Sequence, residues 1–330
     1  MKTLPAADAV LSETDAETIF GTLLDGETSE EEIARFLIDL SDRGETGAEI
    51  AGAARALRAR LIPVAAPDNA IDVCGTGGDG HHTLNVSTAV SLVVAAAGIP
   101  VAKHGNRAAS SKSGAADTLE ALGLDMDAAG RTAEKSLAEI GICFLFAKNH
   151  HPAMGRIQPI RKKLGRRTIF NLMGPLSNPA GVKSQLIGIA RPAYVPIYAA
   201  AKAALGTERT MIVSGDEGLD ELSLAGGNEI ADVRGNSFVM KRKDAGEVGL
   251  AAAPIAAIQG DDAVFNAAAL TALLNGEPGA YRDAVIFNAA ASFLVAGVTD
   301  SWTDGADMAR QSIDTGAAKD LLGRWIAMAQ

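Results

Sequence analysis

The chain of 330 residues is 48% hydrophobic and 4% aromatic, carries a formal net charge of −10 and holds two cysteines. Its length supports two to three domains and a large core, while its acidity argues against nucleic acid or an anionic membrane as a partner. Cys74 and Cys143 each follow strand-like apolar residues, too few for a disulfide scaffold, and read as buried thiols in a reducing compartment.

Taken in chain order, the opening "MKTLPAADAVLSETDAE" lacks the apolar core of a signal peptide. The first sixty or so residues read as helices, with capping boxes at Thr14-x-x-Glu17, Thr28-x-x-Glu31 and Thr46-x-x-Glu49 and helix stops near Gly26 and Gly44. Ile33, Phe36, Leu37 and Leu40 share one helical face. Pro63 and Pro67 mark a linker out of this helical domain, 1–66. From residue 70 the pattern alternates: strands at 70–74, 100–102, 142–147, 184–190 and 209–214, and helices at 87–97, 115–122, 128–140 and 193–205. That alternation predicts an α/β domain with a mixed, mainly parallel sheet flanked by helices. A hairpin is expected over 228–243, then helices over 261–274, 280–296 and 306–329. The apolar run 86–101 is too short to span a membrane and contains Ser and Gly, so a cytoplasmic protein is expected.

Four clusters carry chemistry. In "DVCGTGGDGHHTLNVST" a strand enters a turn holding Gly75, Gly77, Gly78 and Gly80, and a helix follows. Such a turn lets backbone approach a phosphate, and the helix N-terminus offers unpaired N–H groups. The plain alternative is a capped strand–turn–helix connection; no Lys closes the loop, so it is not a Walker loop. "KHGNRAASSKSG", after the next strand, brings Lys103, His104, Asn106, Arg107, Ser110, Ser111 and Lys112 to the same carboxyl edge, where open sheets bind ligands. The alternative for Lys103 and Arg107 is solvated surface charge, against which stands the absence of acidic residues within the loop. His150 and His151, adjacent on what reads as an extended segment, point apart, and no carboxylate lies at ligand spacing, which argues against a zinc site. In the basic run that follows, a solvated helix face suits Lys162, Lys163, Arg166 and Arg167 better than it suits Arg161. Finally "SGDEGLDELS" sets Asp216, Glu217, Asp220 and Glu221 at the ligand edge, as a magnesium–polyphosphate site requires; alone it would read as an exposed acidic turn.

Together, "GTGGDG…T.N.ST", "KHGNR..SS.SG.AD.LEALG", "HHPAM…P.R..LG.RTIFNL.GPL.NPA", "GLDE.S" and "GAYRDAVIFNAAASFLVAG" resemble the anthranilate phosphoribosyltransferase family over nearly the whole chain. The resemblance implies a helical domain joined by helices from about 152–176, an α/β domain of 67–151 and 177–330, and a homodimer through the helical parts. It implies transfer of phosphoribose from phosphoribosyl pyrophosphate to the amine of anthranilate, in tryptophan biosynthesis. The phosphoribosyl pyrophosphate contacts it implies are Gly75, Gly78, Asp79, Thr83, Asn85, Val86, Ser87 and Thr88. From the second loop it adds Lys103, His104, Gly105, Asn106, Arg107, Ala108, Ala109, Ser110, Ser111 and Ala115. Anthranilate would touch Gly75, Asn106 and Arg161, and Mg2+ would be held by Ser87, Asp220 and Glu221. Ala115 stands where the family often has Ser, so one phosphate-side hydroxyl is missing. No acid–base residue is implied; His104 is a candidate acceptor for the amine proton. The alternatives are a pyrimidine nucleoside phosphorylase-like enzyme, whose family reads Gly-Gly where this chain has Asn106-Arg107, and a non-catalytic relative that binds nucleic acid.

Overall fold

The computed structural model describes residues 3–6, 9–108 and 112–330. Three helices open the chain: α1 (Glu13–Leu24), α2 (Glu30–Arg43) and α3 (Gly47–Arg58). Thr46 and Glu49 form the expected capping box of α3. The other two caps are Ser12 and Ser29, not Thr14 and Thr28; Ser is the better N-cap, and each stands within two residues of the Thr it displaces. Gly44 ends α2 at φ 91°, a conformation costly for any side chain. Ile33, Phe36, Leu37 and Leu40 are buried, and Phe20 meets Phe36 and Phe170 edge-on, with ring centroids 5.9 and 5.8 Å apart.

The sheet holds β1 (Ile71–Gly75), β2 (Val101–Gly105), β3 (Ile142–Phe146), β4 (Ser184–Gly188), β5 (Arg209–Gly215), β6 (Asn228–Arg234) and β7 (Ser237–Lys243). Its order is β3-β2-β1-β4-β5-β6-β7. The first five strands pair in parallel, and β5, β6 and β7 pair antiparallel, the last two as the expected hairpin. The chain leaves β1 for β2 on one side and later returns to its other side as β4, so the strand order reverses at β1. The crevice beyond the carboxyl ends of β1 and β4 is therefore the topological place for a ligand.

Between and after the strands run α4 (Val86–Ala96), α5 (Ala115–Ala121), α6 (Met126–Arg131), α7 (Ala133–Ile140), α8 (Ala147–His150), α9 (Met154–Leu164), α10 (Val195–Leu205), α11 (Ala263–Leu274), α12 (Ala280–Val295), α13 (Trp302–Asp314) and α14 (Ala317–Met328). The helices expected over 128–140 and 306–329 are each broken in two, the second at Gly316 with φ 78°. Successive strand residues point to opposite faces, and the core divides accordingly. Val73, Leu186 and Met211 pack with α4 and α12–α14, whereas Cys74, Ile187 and Ile212 pack with α1–α3, α9 and α10. The parallel strands are thus buried on both faces, while the edge strand β7 is largely exposed. Among the described residues no helix is long and apolar enough to cross a membrane.

Candidate active site

The turn after β1 uses its glycines for backbone geometry. Gly77, Gly78 and Gly80 adopt φ of 69°, 72° and 81°, in the left-handed region that side chains avoid. Helix α4 starts six residues later, and the Ser87 N–H in its first turn donates to Glu221 Oε1 at 3.0 Å. A carboxyl group therefore already accepts from the first turn of this helix, from a loop 134 residues away. Asn85 is fixed beside it: its side-chain oxygen accepts from Thr118 Oγ1 and Asn266 Nδ2 at 2.5 and 2.9 Å, and its carbonyl from the Tyr281 hydroxyl. Thr83 bridges to Gln259.

Gly75 and Gly188 have a different reason. The acidic segment crosses the ends of β1 and β4 so closely that a Cβ at Gly75 would overlap the Asp220 carboxylate, and one at Gly188 the Asp220 carbonyl. Asp220 Oδ2 accepts the Gly77 N–H at 2.6 Å. Asn288 of α12 clasps the next residue but one, accepting from Leu222 N–H and donating to its carbonyl, both at 2.9 Å. Burial, and then the Asp79 carboxylate, push Asp220 above the ordinary carboxylate range. Burial, then Asp220 and Asp79, push Glu221 well up. The buried Lys103 ammonium lies under the pair, donating to the Val73 carbonyl at 2.8 Å and to Ser87 Oγ at 3.2 Å. Asp216 and Glu217 do not join: Asp216 pairs with Arg242 at 2.6 Å, and Glu217 accepts from Ser223 Oγ.

Crowded, buried carboxylates need positive charge. Glu221 Oε2 and Thr88 Oγ1 are buried without a hydrogen-bond partner, and Ser87, Asp220, Glu221 and Asn288 line one small cavity. Among the described residues no three His, Cys, Asp or Glu side chains cluster tightly enough to hold a metal alone. The donor set fits a hard divalent cation that completes its oxygen shell on a phosphate-bearing ligand.

The second loop departs from expectation in several places. Lys103 is 2% exposed, so its charge acts from beneath rather than from the loop surface. Arg107 is turned away, onto Asp117 and Glu120 of α5 at 2.8 and 2.7 Å. The acidic partners missing from the loop thus come from the helix after it. Asp117 also accepts from the Ala108 and Gly114 N–H groups, closing the loop at its neck. Asn106 Oδ1 accepts the Arg107 N–H at 2.9 Å. Gly105 has no room for a side chain, since a Cβ would lie 2.7 Å from the Phe144 ring. Ala115 opens α5, and Ala109, Ser110 and Ser111 lie outside the described residues.

His104 Nδ1 donates to the Gly174 carbonyl at 3.0 Å, which leaves Nε2 as an acceptor; that atom meets His151 Nε2 at 3.2 Å. Burial lowers His104 to about 4, so it stays neutral. Its engaged lone pair and low basicity argue against it as the acceptor for an amine proton. Burial, then His104, lower His151 to about 3. The two histidines are not on an extended segment: His150 closes α8, and its Nδ1 meets the Ile62 carbonyl at 3.1 Å.

Arg161, on α9, is half-buried, and among the described residues its guanidinium has no hydrogen-bond or ion-pair partner; burial lowers it. Lys162, Lys163 and Arg166 are exposed as expected. Arg167 is not on a solvated helix face. Gly165 ends α9 at φ 62°, and beyond it Arg167 reaches back to the glycine turn, donating to the carbonyls of Gly77 and Gly78 at 3.0 Å each. Sequence reasoning also passed over Asp72 and Asn288. Asp72 is fully buried and accepts the His104 N–H at 3.1 Å, tying β1 to the second loop. A polar residue inside an apolar run was the signal for both.

Two family models match the chain: a glycosyl transferase family helical bundle domain over residues 6–61 and a glycosyl transferase family a/b domain over residues 67–319. An anthranilate phosphoribosyltransferase of Erythrobacter litoralis is 75% identical, with 100% of both chains covered. The crystal structure of anthranilate phosphoribosyltransferase from Thermus thermophilus is similar at a TM-score of 0.92 and 42% identity, covering 97% of this chain and 96% of that one. The Saccharomyces cerevisiae enzyme in complex with phosphoribosyl pyrophosphate and Mg is similar at a TM-score of 0.87 and 29% identity, covering 97% and 93%.

Proposed function

The chain belongs to the anthranilate phosphoribosyltransferase family, and from that premise we propose how its own residues carry the reaction. It transfers phosphoribose from 5-phosphoribosyl-1-pyrophosphate to the amine of anthranilate, releasing pyrophosphate, in tryptophan biosynthesis. The comparisons do not favour the phosphorylase-like or nucleic-acid-binding alternatives. The observation that carries the reading of the site is the join between the glycine turn, the first turn of α4 and the buried Asp220–Glu221 pair.

In the reaction the bond from the ribose carbon to pyrophosphate breaks, a carbon–nitrogen bond forms, and the amine gives up a proton. The amine is neutral near pH 7 and needs no strong base; the hard part is the leaving group. The pyrophosphate and ribose phosphate lie against Gly75, Gly78, Asp79, Thr83, Asn85, Val86, Ser87 and Thr88, and against the segment 103–111. Backbone N–H groups of the turn and the hydroxyls of Ser87 and Thr88 receive its charge. The unpartnered Thr88 Oγ1 supports that role. Ser87, Asp220 and Glu221 would hold Mg2+, and the unpartnered Glu221 Oε2 supports this. The ion, when bound, supplies positive charge to the departing pyrophosphate.

Arg161 grips the anthranilate carboxylate in a bidentate pair, with Asn106 and Gly75 beside it. Positioning the two substrates supplies much of the remaining acceleration. The proton leaves to solvent. We also infer the division into a helical unit, 1–66 with helices from 152–176, and an α/β unit of 67–151 and 177–330. With it go a homodimer through the helical unit, which sedimentation tests, and a cytoplasmic location.

The deciding assay is loss of anthranilate fluorescence in the purified chain, with phosphoribosyl pyrophosphate and magnesium each omitted in turn. Loss that requires both is expected. Fluorescence unchanged with both present, or phosphorolysis of a pyrimidine nucleoside instead, would overturn the reading.

A further inference from the structure

The glycine turn is built from residues that any unfolded segment would scatter widely, since glycine loses more backbone freedom on ordering than other residues. Something must hold it. Gly77 and Gly78 are left-handed in succession, and the Arg167 guanidinium donates one N–H to each of their carbonyls. The group lies flat against the turn: a Cβ at Gly78 would sit 3.5 Å from the guanidinium carbon and 3.6 Å from both terminal nitrogens. A planar fork with parallel donors matches two neighbouring carbonyls as an ammonium cannot.

Trans peptide geometry turns this clasp into a statement about the ligand side. There is no cis peptide bond among the described residues, so the C=O and N–H of one peptide unit point in opposite directions. Fixing the Gly77 carbonyl on Arg167 therefore aims the Gly78 N–H away from it, and fixing the Gly78 carbonyl aims the Asp79 N–H away likewise. Neither N–H has a hydrogen-bond partner among the described residues. Two left-handed peptides with freed, similarly directed N–H groups make an anion-binding concavity. Arg167 is half-buried, and burial followed by the nearby Arg191 lowers its pKa, yet it stays a cation with Asp220 and Asp79 among its neighbours of opposite charge. It is anchored from the segment between α9 and the 3-10 turn Ile169–Asn171, so the brace comes from outside the loop it holds.

We propose that Arg167 is a positioning residue for phosphoribosyl pyrophosphate: by clasping the inner carbonyls of the glycine turn, it presents the Gly78 and Asp79 N–H groups to the pyrophosphate. It does not touch the substrate. The inference rests on the family reading of the turn as the pyrophosphate site. Loss of the clasp lets the two peptide planes rotate, so the concavity must be reassembled on each binding event. The penalty falls on one substrate, not on both.

The test is calorimetric titration of magnesium–phosphoribosyl pyrophosphate into wild-type, Arg167→Ala and Arg167→Lys chains, with steady-state kinetics and thermal unfolding of each. The expected result is an affinity loss on the order of tenfold in Arg167→Ala, about what removing one or two charge-assisted bonds costs. The KM for phosphoribosyl pyrophosphate rises with it, while that for anthranilate stays within about twofold. Added guanidinium ion at tens of millimolar restores part of the affinity in Arg167→Ala, methylammonium does not, and Arg167→Lys is little better than Ala. Should Ala fail to fold, the Lys variant carries the same comparison. A wild-type chain that bound no phosphoribosyl pyrophosphate would overturn the reading of the site itself. Wild-type binding with undiminished affinity in the variants would overturn the role of Arg167 alone. So would equal rises in both KM values with a lowered unfolding temperature, the signature of a merely structural tie.

Discussion

The phosphate corner and the anthranilate arm are built on opposite plans. At the corner the main groups are each tied to a distant part of the chain: Asp220 to Gly77, Glu221 to Ser87, Asn85 to Thr118 and Asn266, and the turn carbonyls to Arg167. On the arm, Arg161 has no such partner among the described residues, and its guanidinium is half-buried all the same. Charge is concentrated in the corner and fixed during folding, so the site does not need to reorganise when a leaving group develops charge. In the site proposed above, the arm keeps one desolvated cation for a carboxylate that arrives from outside. Joining the two is the buried pair His104 and His151, one at the end of β2 and one between α8 and α9.

The sharpest way to break the contrast is to neutralise the corner. Asp220→Asn with Glu221→Gln keeps the shapes and removes two buried, mutually repelling charges. Turnover should fall by roughly 10²–10³-fold, the scale of losing a preorganised electrostatic element. The unfolding temperature should rise, because both carboxyl groups are pushed up in the fold, Asp220 by burial and then Asp79, and Glu221 by burial and then Asp220 and Asp79. Full activity with unchanged magnesium dependence would remove the metal role from this pair.

The joint should show itself in stability. Both histidines are lowered in the folded chain, to about 4 and about 3, against about 6.5 when unfolded. Above pH 6.5 both states are neutral there and the pair has no pH dependence. Below it the unfolded chain takes up protons that the folded chain refuses, so stability falls as pH drops from 6.5 towards 4. At pH 5.5 the expected loss is about 1.4 kcal/mol per histidine. Denaturant titrations of wild type and His151→Gln at pH 7.5 and 5.5 check it: the variant should show a visibly smaller drop, and identical drops would clear the pair of the effect.

Arg161→Ala comes next. A charge-assisted bidentate pair is worth roughly 1.5–3 kcal/mol, so the KM for anthranilate should rise about ten- to a hundredfold. That for phosphoribosyl pyrophosphate should barely move, and Lys should restore only part of the loss. Equal weakening of both substrates would make Arg161 a structural residue of the helical layer.

How much of this was legible beforehand follows the distance over which each contact acts. Gly75 to Thr88 could be read as strand, turn and helix because the glycines and the apolar run adjoin. That Asp220 crosses over Gly75 and Gly188 could not, since the partners lie 143 residues apart at the Gly77–Asp220 bond and only the fold brings them together. Glycine at those two strand ends is explained by Asp220 above it, its carboxylate over Gly75 and its backbone carbonyl over Gly188, not by φ. The caps slipped by one or two residues because Ser and Thr stand within two residues of each other and compete for one role. Arg167 was misassigned for a local reason: α9 stops at Leu164, and a helix face three residues too long would have carried Arg167 into solvent.

Arg107 is the smallest effect and the most instructive, because sequence and structure disagree about it. Its loop holds no acid, which made a phosphate contact attractive. Folding nevertheless brings Asp117 and Glu120 up from α5, and the guanidinium lies on both, with its side chain 44% exposed. Those pairs raise its pKa further, through Glu120 first and Asp117 next, so the cation is not in question; its direction is. Exposed ion pairs of this kind contribute about 0–1 kcal/mol. Arg107→Met should therefore lower the unfolding temperature by a few degrees at most, and less at high salt. Affinity for phosphoribosyl pyrophosphate should change by less than about threefold, because the loop is closed by Asp117 on the Ala108 and Gly114 N–H groups and not by the guanidinium. Asp117→Asn, which weakens that neck, should cost more than Arg107→Met. If Arg107→Met instead weakened phosphoribosyl pyrophosphate tenfold or more, the side chain must leave α5 for the substrate, and the loop would belong with Arg161 among the parts that wait for a ligand.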